Sequence, residues 1–483
     1  MAALAAANKA LWQQYGDYIL MAMPYADEVL VEGRGCRVRD AGGNELLDLA
    51  AGMFCCVLGH NHPEFVERIT AQARQLVHTG TQFLSPAVMR ASAKLAQVTP
   101  GRLQKSILFS TGTEANEFAF RLAKAYTGRT GMVGFSHGYY GTSLATRSCS
   151  GLTSRHRPDS LPTVPECARI PITPQCRSCF TAAAGGCDFP CLDTLESWLG
   201  AWTNIAAVIV EPLLSAGGML LPPPGYLQRL AQITHEHGAL FIVDEAQTGF
   251  GRTGTWFAIE HHGVEPDILS LSKSLGNGFP AAAVITTAEI ADKTVRDGLW
   301  HLSSHQSEPM AAAAIEAVID IVAGEGLLAR ARAQGDYFMA GLHRLAEKNP
   351  AVRSVRGQGL MIGFDLIAKK PETVPQFTTA FIQACRRRGV HLTFSYGNAT
   401  IRIIPPLIIS RDDIDLALEV IAGSLEEAER DHGAQNGIPA NPYVRRVYQN
   451  RPLGHIFNWW WRSSPQEWVE KTRAVLKSRI GRA

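Results

Sequence analysis

The sequence predicts an α/β fold: a large, mostly parallel sheet domain and a smaller α+β domain drawn from both flanks. Three observations carry this. Short apolar runs recur through the middle of the chain, helical patterns lie between them, and the flanks read as short antiparallel strands.

In chain order, residues 28–50 (EVLVEGRGCRVRDAGGNELLDLA) are expected to be strands of the smaller domain. KSILFS (105–110), GMVGF (131–135), AAVIVEP (206–212), ALFIVDEA (239–246), DILSLSK (267–273) and AAAVITT (281–287) each read as a strand buried on both faces. Between two of them, GYLQRLAQITHEHGA sets Tyr226, Leu227, Leu230 and Ile233 on one helical face, and Gly238 suits its C-terminal turn. Strand, helix, strand repeated in this way favours parallel pairing under covering helices. Residues 353–405 return to short antiparallel strands with helices between. The expected organisation is an N-terminal segment 1–60 joining the small domain, a large domain 61–325, a C-terminal small domain 326–430 and an extension 431–483.

That extension is basic and tryptophan-rich, with nine Lys or Arg against two Glu from Asn441 onward and the run Trp459, Trp460, Trp461. Trp468, Val469, Leu476 and Ile480 with Lys471, Arg473, Lys477 and Arg479 suggest a basic amphipathic helix after Pro465. Docking on a neighbouring subunit is expected of it in preference to membrane contact.

The chain's 46 basic and 44 acidic side chains give a net charge of +2, so bulk charge does not point to a nucleic-acid partner. The opening MAALAAANKALWQQYGDYIL is interrupted by Asn8, Lys9, Gln13, Gln14 and Asp17, unlike a signal peptide, and no run approaches a membrane span. The cytoplasm is the expected compartment. Of ten cysteines, Cys176, Cys179, Cys187 and Cys191 crowd one stretch, but seven residues between the pairs is shorter than common zinc spacings. No metal is expected, and reduced thiols in a surface insertion are the plainer reading.

Chemistry concentrates at strand ends. In ILSLSKSLGNGFP a lysine, Lys273, stands where a buried strand yields to a glycine-rich turn, and in ALFIVDEA Asp244 ends the apolar strand similarly. A salt bridge between them would satisfy both charges. GFGRTG (249–254) matches a dinucleotide-binding pattern, but residues 245–248 separate it from the strand and RTGTWF opens no helix. A better anion site is Thr111-Gly112-Thr113, where a strand turns into a helix; the alternative is a plain capped helix, with Thr113 as N-cap and Glu117 near the capping-box position. One ligand would use all these features. Pyridoxal phosphate takes a lysine for its aldehyde, a carboxylate for its ring nitrogen, an anion site for its phosphate and an aromatic such as Tyr139 for its ring face.

VIVEPLLSAGGMLLPPPGYL, LFIVDEAQTGFGRTGTWFAIEHHGVEPDILSLSKSLGNGFP and STGTEANEFAFRLAK resemble the class III (omega) aminotransferases, fold type I pyridoxal phosphate enzymes. The similarity runs from about Pro24 to Glu427. It implies an aspartate-aminotransferase-like fold, Lys273 as the Schiff-base lysine, Asp244 on the pyridine nitrogen, Gln247 near the ring hydroxyl and Tyr139 on the ring face, with Tyr140 replacing a histidine common in members. It further implies that Thr111, Gly112 and Thr113 hold the phosphate, that Ser304 reaches the phosphate across a homodimer interface, and that Arg402 binds a substrate carboxylate, with Glu211, Met53 and Ala216 lining the substrate side.

Within the family the likeness is strongest to the 2,2-dialkylglycine decarboxylases. Those have glutamine and serine where this chain has Met53 and Ala216, which cannot donate the same hydrogen bonds. The expected activity is therefore amino transfer between an amine or amino acid donor and an α-keto acid or other oxo acceptor. Decarboxylating transamination, or aminomutase or racemase chemistry, are the alternatives.

Overall fold

The computed structural model describes residues 2–20, 25–152, 164, 166–171, 188–368, 374–395 and 400–431. Its centre is a seven-stranded sheet of β4 (Leu103–Phe109), β5 (Gly131–Phe135), β6 (Cys167–Ile170), β7 (Ile205–Val210), β8 (Leu240–Asp244), β9 (Ile268–Leu271) and β10 (Ala282–Thr287). The spatial order is β4-β10-β9-β8-β7-β5-β6. β6, β5, β7, β8 and β9 pair in parallel, while β10 runs antiparallel to both neighbours. The reversal follows from chain length, because residues 272–281 are too few for the crossover that parallel pairing of β9 and β10 needs.

The apolar runs become strands because helices cover both faces of the sheet. In β7, Val208 and Val210 pack to one side while Ala207 and Ile209 join the cluster on the other; Phe241 and Val243 alternate with Leu240 and Ile242 in β8 in the same way. Each fully buried Phe, Ile or Val contributes about 1.5–3 kcal/mol relative to exposure. Two expectations need correction. β4 lies at the sheet edge, with Gln104 and Lys105 exposed, so it is not buried on both faces. β6, absent from the sequence reading, adds the opposite edge; its four residues are too few and too polar to stand out as an apolar run.

The helix between β7 and β8 forms at Tyr226–Glu236 with Tyr226, Leu227, Leu230 and Ile233 buried, and Gly238 adopts the left-handed φ of +67° that ends it. On the flanks, β1 (Leu30–Arg34), β2 (Arg37–Asp40) and β3 (Glu45–Asp48) form an antiparallel meander. β13 (Val390–His391) joins it in parallel beside β3. β11 (Val352–Gln358), β12 (Met361–Leu366), β15 (Thr400–Ile403) and β14 (Thr393–Phe394) make a second four-stranded sheet, antiparallel throughout. Among the described residues no helix is long and apolar enough to cross a membrane. The tryptophan-rich extension lies outside the described residues.

Candidate active site

The site is built where β8 and β9 end. β8 delivers Asp244, and β9 is followed by Ser272 and then Lys273, which opens a short 3-10 turn, Lys273–Gly276, at a left-handed φ of +50°. A lysine in that region is strained, and its surroundings must hold it there. Arg252, fully buried in the GFGRTG loop, does this. Its Nε donates to Ser274 Oγ at 3.3 Å, one terminal nitrogen to the Phe54 carbonyl at 3.3 Å and the other to the Pro405 carbonyl. The loop that imitates a dinucleotide motif is therefore a clamp on the Lys273 turn. Asn277 adds a second tie, accepting from Leu58 N at 2.8 Å and donating to the Gly59 carbonyl at 3.2 Å. Gly278 sits at φ +92°, where a Cβ would meet Cys56 Sγ at 3.3 Å.

Charge is concentrated around these strand ends. Burial pushes the Asp244 carboxyl up, opposed by the Lys273 ammonium, by the Ala246 N–H at 2.9 Å and by the Asn116 amide at 2.7 Å. Burial also lowers Lys273, opposed by Asp244, Cys55 and Glu211, while Arg402 lowers it further. Glu211, at the end of β7, is raised to about 8 by burial and by Asp244. Its Oε1 accepts the Tyr139 N–H at 2.8 Å, which ties the β5 loop to β7. Tyr139 is 37% exposed, and its phenol is raised by burial and then by Asp244 and Glu211. The simple salt bridge does not form: among the described residues no Lys273–Asp244 contact reaches ion-pair distance, although each senses the other's charge.

The helix at the anion-site turn begins two residues earlier than expected. The helix is Gly112–Thr127 and its N-cap is Thr111, whose hydroxyl accepts from Glu114 N at 3.3 Å; Thr113 is thus inside the helix and not its cap. Glu117 is not in a capping box either, since its Oε1 accepts from Ala145 N at 3.1 Å and Thr146 N at 3.3 Å. Thr113 Oγ1 accepts from Thr142 N at 3.3 Å. Both hydroxyls act as acceptors in these bonds, so each keeps its own O–H to donate. A Cβ at Gly112 would lie 3.1 Å from Ser272 Cβ, so the missing side chain lets the helix start close beside the Lys273 turn.

On the substrate side, Asp48 accepts from Ala50 N at 2.9 Å and Gly52 N at 2.7 Å. These bonds hold a loop in which Ala51, Gly52 and Phe54 all have positive φ. Met53 projects from it, 57% exposed. Arg402 of β15 is buried, its guanidinium 4.6 Å from the Phe54 ring centroid and bonded to the Phe394 carbonyl at 3.3 Å. Half-buried Ala216 lies in a loop pinned by buried Arg356, which donates to Gly218 O at 3.0 Å and Met219 O at 3.1 Å and pairs with Asp365 at 2.9 Å. Ser304 stands in an exposed turn; its neighbour Ser303 donates to Glu114 at 3.3 Å. Cys176, Cys179 and Cys187 lie outside the described residues, and Cys191 is buried with its sulfur 3.4 Å from the Tyr226 hydroxyl.

Sequence reasoning passed over Asn116, Arg252, Phe54 and Arg356. Only Asn116 left a signal, as a polar residue on the otherwise apolar buried face of its helix.

Residues 22–425 match the family model Aminotransferase class-III. The chain belongs to the class-III aminotransferase family. An uncharacterized aminotransferase of Schizosaccharomyces pombe is 36% identical over 87% of this chain and 93% of its own length. A leucine/methionine racemase of Thermococcus litoralis is 33% identical over 84% of this chain and 92% of its own. Among solved structures, an (S)-enantioselective omega-transaminase from Thermomicrobium roseum is 30% identical with a TM-score of 0.76, covering 83% of this chain and 93% of that one.

Class-III aminotransferases depend on pyridoxal phosphate, and the residues of this chain fit that group. The donor set combines an amine, a buried carboxylate and a helix N-terminus with two hydroxyls. Gln247, only 8% exposed, has its Oε1 buried without a hydrogen-bond partner, as expected of a side chain kept for a ligand.

Proposed function

We propose that this aminotransferase moves an amino group between an amine or amino acid donor and an α-keto acid or other oxo acceptor at Lys273. The observation that carries the reading is the convergence of Lys273, Asp244 and the Thr111–Thr113 helix start at the carboxyl ends of β9, β8 and β4, where α/β sheets bind ligands. Lys273 would hold the cofactor covalently, Asp244 its ring nitrogen and Gln247 its ring hydroxyl. Tyr139 would face the ring, and Thr111, Gly112 and Thr113 would bind the phosphate. When bound, pyridoxal phosphate supplies a carbonyl that condenses with amines and a ring that withdraws electrons from the adjacent carbon.

The chain's own residues do the rest. Lys273 Nζ, freed when the donor amine displaces it and left less basic than a free amine by burial, would take the proton from the donor's α-carbon and, in the opposite half-reaction, return one to the acceptor's. Arg402 offers a guanidinium to a substrate carboxylate, with the Phe54 ring against it. Glu211, Met53 and Ala216 bound the substrate side. Ser304, exposed in one chain, is assigned to the phosphate of a partner subunit in a homodimer. The cytoplasm remains the compartment of choice on the expectation of reduced thiols, and the described cysteines are free. Segment 1–60 and residues 326–430 are taken as one smaller domain beside 61–325, a division supported by the pairing of β13 with β3.

Racemase chemistry is the second reading, favoured by the Thermococcus litoralis relative. Decarboxylating transamination is the finer reading drawn from the likeness to the 2,2-dialkylglycine decarboxylases, and Met53 and Ala216 speak against it. Bleaching of the bound cofactor's visible absorbance by a panel of amines and amino acids, followed by recovery with α-keto acids, tests the proposal. Bleaching that reverses only with an oxo acceptor supports amino transfer. Inversion of the amino acid without any oxo acceptor would assign a racemase, and CO2 release a decarboxylase.

A further inference from the structure

Asn116 sits on the buried face of the Gly112–Thr127 helix, only 1% exposed. Asparagine is a poor mid-helix residue, and burying its amide is costly unless it is hydrogen-bonded. Both amide hydrogens are committed: Nδ2 donates to the Asp244 carboxylate at 2.7 Å and to the Tyr140 carbonyl at 2.8 Å. Turning the amide over would set its oxygen against two acceptors, so the orientation is chemically forced. The other end of the amide gains nothing in exchange, because Oδ1 is buried without a hydrogen-bond partner. The side chain is arranged for Asp244 and not for its own satisfaction.

Tyr140 explains why an amide has this task. Its phenol is turned away, donating to the Ile209 carbonyl at 3.1 Å. Only its backbone carbonyl takes part, as the anchor for Asn116. Around Asp244 the titratable and charged groups are Lys273, Glu211, Tyr139 and Tyr140. The two groups bonded directly to the carboxylate, the Asn116 amide and the Ala246 N–H, do not titrate.

We propose that Asn116 is a positioning residue, whose amide, fixed between the Tyr140 carbonyl and the Asp244 carboxylate, aims that carboxylate at the ring nitrogen of the cofactor. This rests on the assignment of Asp244 to the ring nitrogen. A hydrogen bond to a charged group is strong enough that losing it should speed cofactor release by about tenfold or more. The test compares Asn116→Ala, Asn116→Leu and Asn116→Ser holoenzymes for the rate at which they lose pyridoxal phosphate on dilution and for their visible absorbance spectra.

Ala and Leu, without a donor, should release the cofactor about tenfold faster with an altered spectrum, while Ser, which keeps an O–H donor in a side chain nearly as small as alanine, should fall between them and wild type. Adding Asn116→Ala to Asp244→Asn should produce no further change. Ala and Ser behaving alike, or Asn116→Ala acting equally on the Asp244→Asn background, would overturn the proposal, because the effect would then be packing alone. If Asp244→Asn itself leaves release and spectrum unchanged, the assignment of Asp244 fails instead. Should Leu not fold, the Ala and Ser comparison carries the test unaided.

Discussion

Replacing Arg252 by methionine tests how the Lys273 turn is held. The guanidinium is fully buried, and burial lowers it to about 10, so it is under strain but still charged. Its three hydrogen bonds go to Ser274, Phe54 and Pro405, from three separate parts of the chain. Bonds from a charged donor contribute about 1.5–3 kcal/mol each. Removing the side chain also relieves several kcal/mol of desolvation, so the net loss should be about 2–4 kcal/mol. With an unfolding entropy near ~2.1 cal/mol/K per residue over roughly 400 residues, 3 kcal/mol lowers the apparent midpoint by about 4 °C. Scanning calorimetry of the holoenzyme measures this directly. Arg252→Lys, which keeps charge but not the three-way reach, should be intermediate. A methionine variant that melts with wild type and keeps its cofactor equally well would refute the clamp.

Other expectations follow from the same geometry. Glu211, raised from 4.5 to about 8 in the folded chain, binds a proton that the unfolded chain releases. Its stability contribution is therefore full below about 4.5 and lost as pH rises through about 8. Glu211→Gln should flatten this dependence, so denaturant midpoints of variant and wild type should diverge in the variant's favour across that window; parallel curves would count against it. Arg402→Ala should raise KM for α-keto acids by about a hundredfold while sparing amines that lack a carboxylate, as expected for a lost charge-assisted pair; equal losses for both substrate classes would remove Arg402 from carboxylate recognition. Met53→Gln combined with Ala216→Ser should raise CO2 release from α,α-dialkyl amino acids, measured with carboxyl-labelled substrate, and no rise would free these positions from that role.

Much of the molecule was legible because its signals are local. The double-faced burial of β7 and β8 is written in unbroken apolar runs, and charged residues immediately after such runs are conspicuous, which is how Lys273 and Asp244 stood out. What escaped depends on distant partners. Arg252 looks like a surface arginine in a glycine-rich loop until Phe54 and Pro405 close around it. The Gly112–Thr127 helix starts two residues before the expected cap because Thr111 and Thr113 are equally good caps in sequence, and what separates them is distant: the Thr113 hydroxyl accepts from Thr142 N while Thr111 caps Glu114 N. β6 was invisible because a short, half-buried edge strand carries little periodicity. The direction of β10 is legible in the short link after β9, which leaves too few residues for a parallel crossover.

The central claim is that Lys273 carries the cofactor, and borohydride reduction of the reconstituted protein followed by peptide mass analysis tests it most directly. A phosphopyridoxyl group on the peptide containing Lys273, absent from Lys273→Ala, is the predicted result; a label on another lysine, or no uptake of pyridoxal phosphate by wild type, would contradict it.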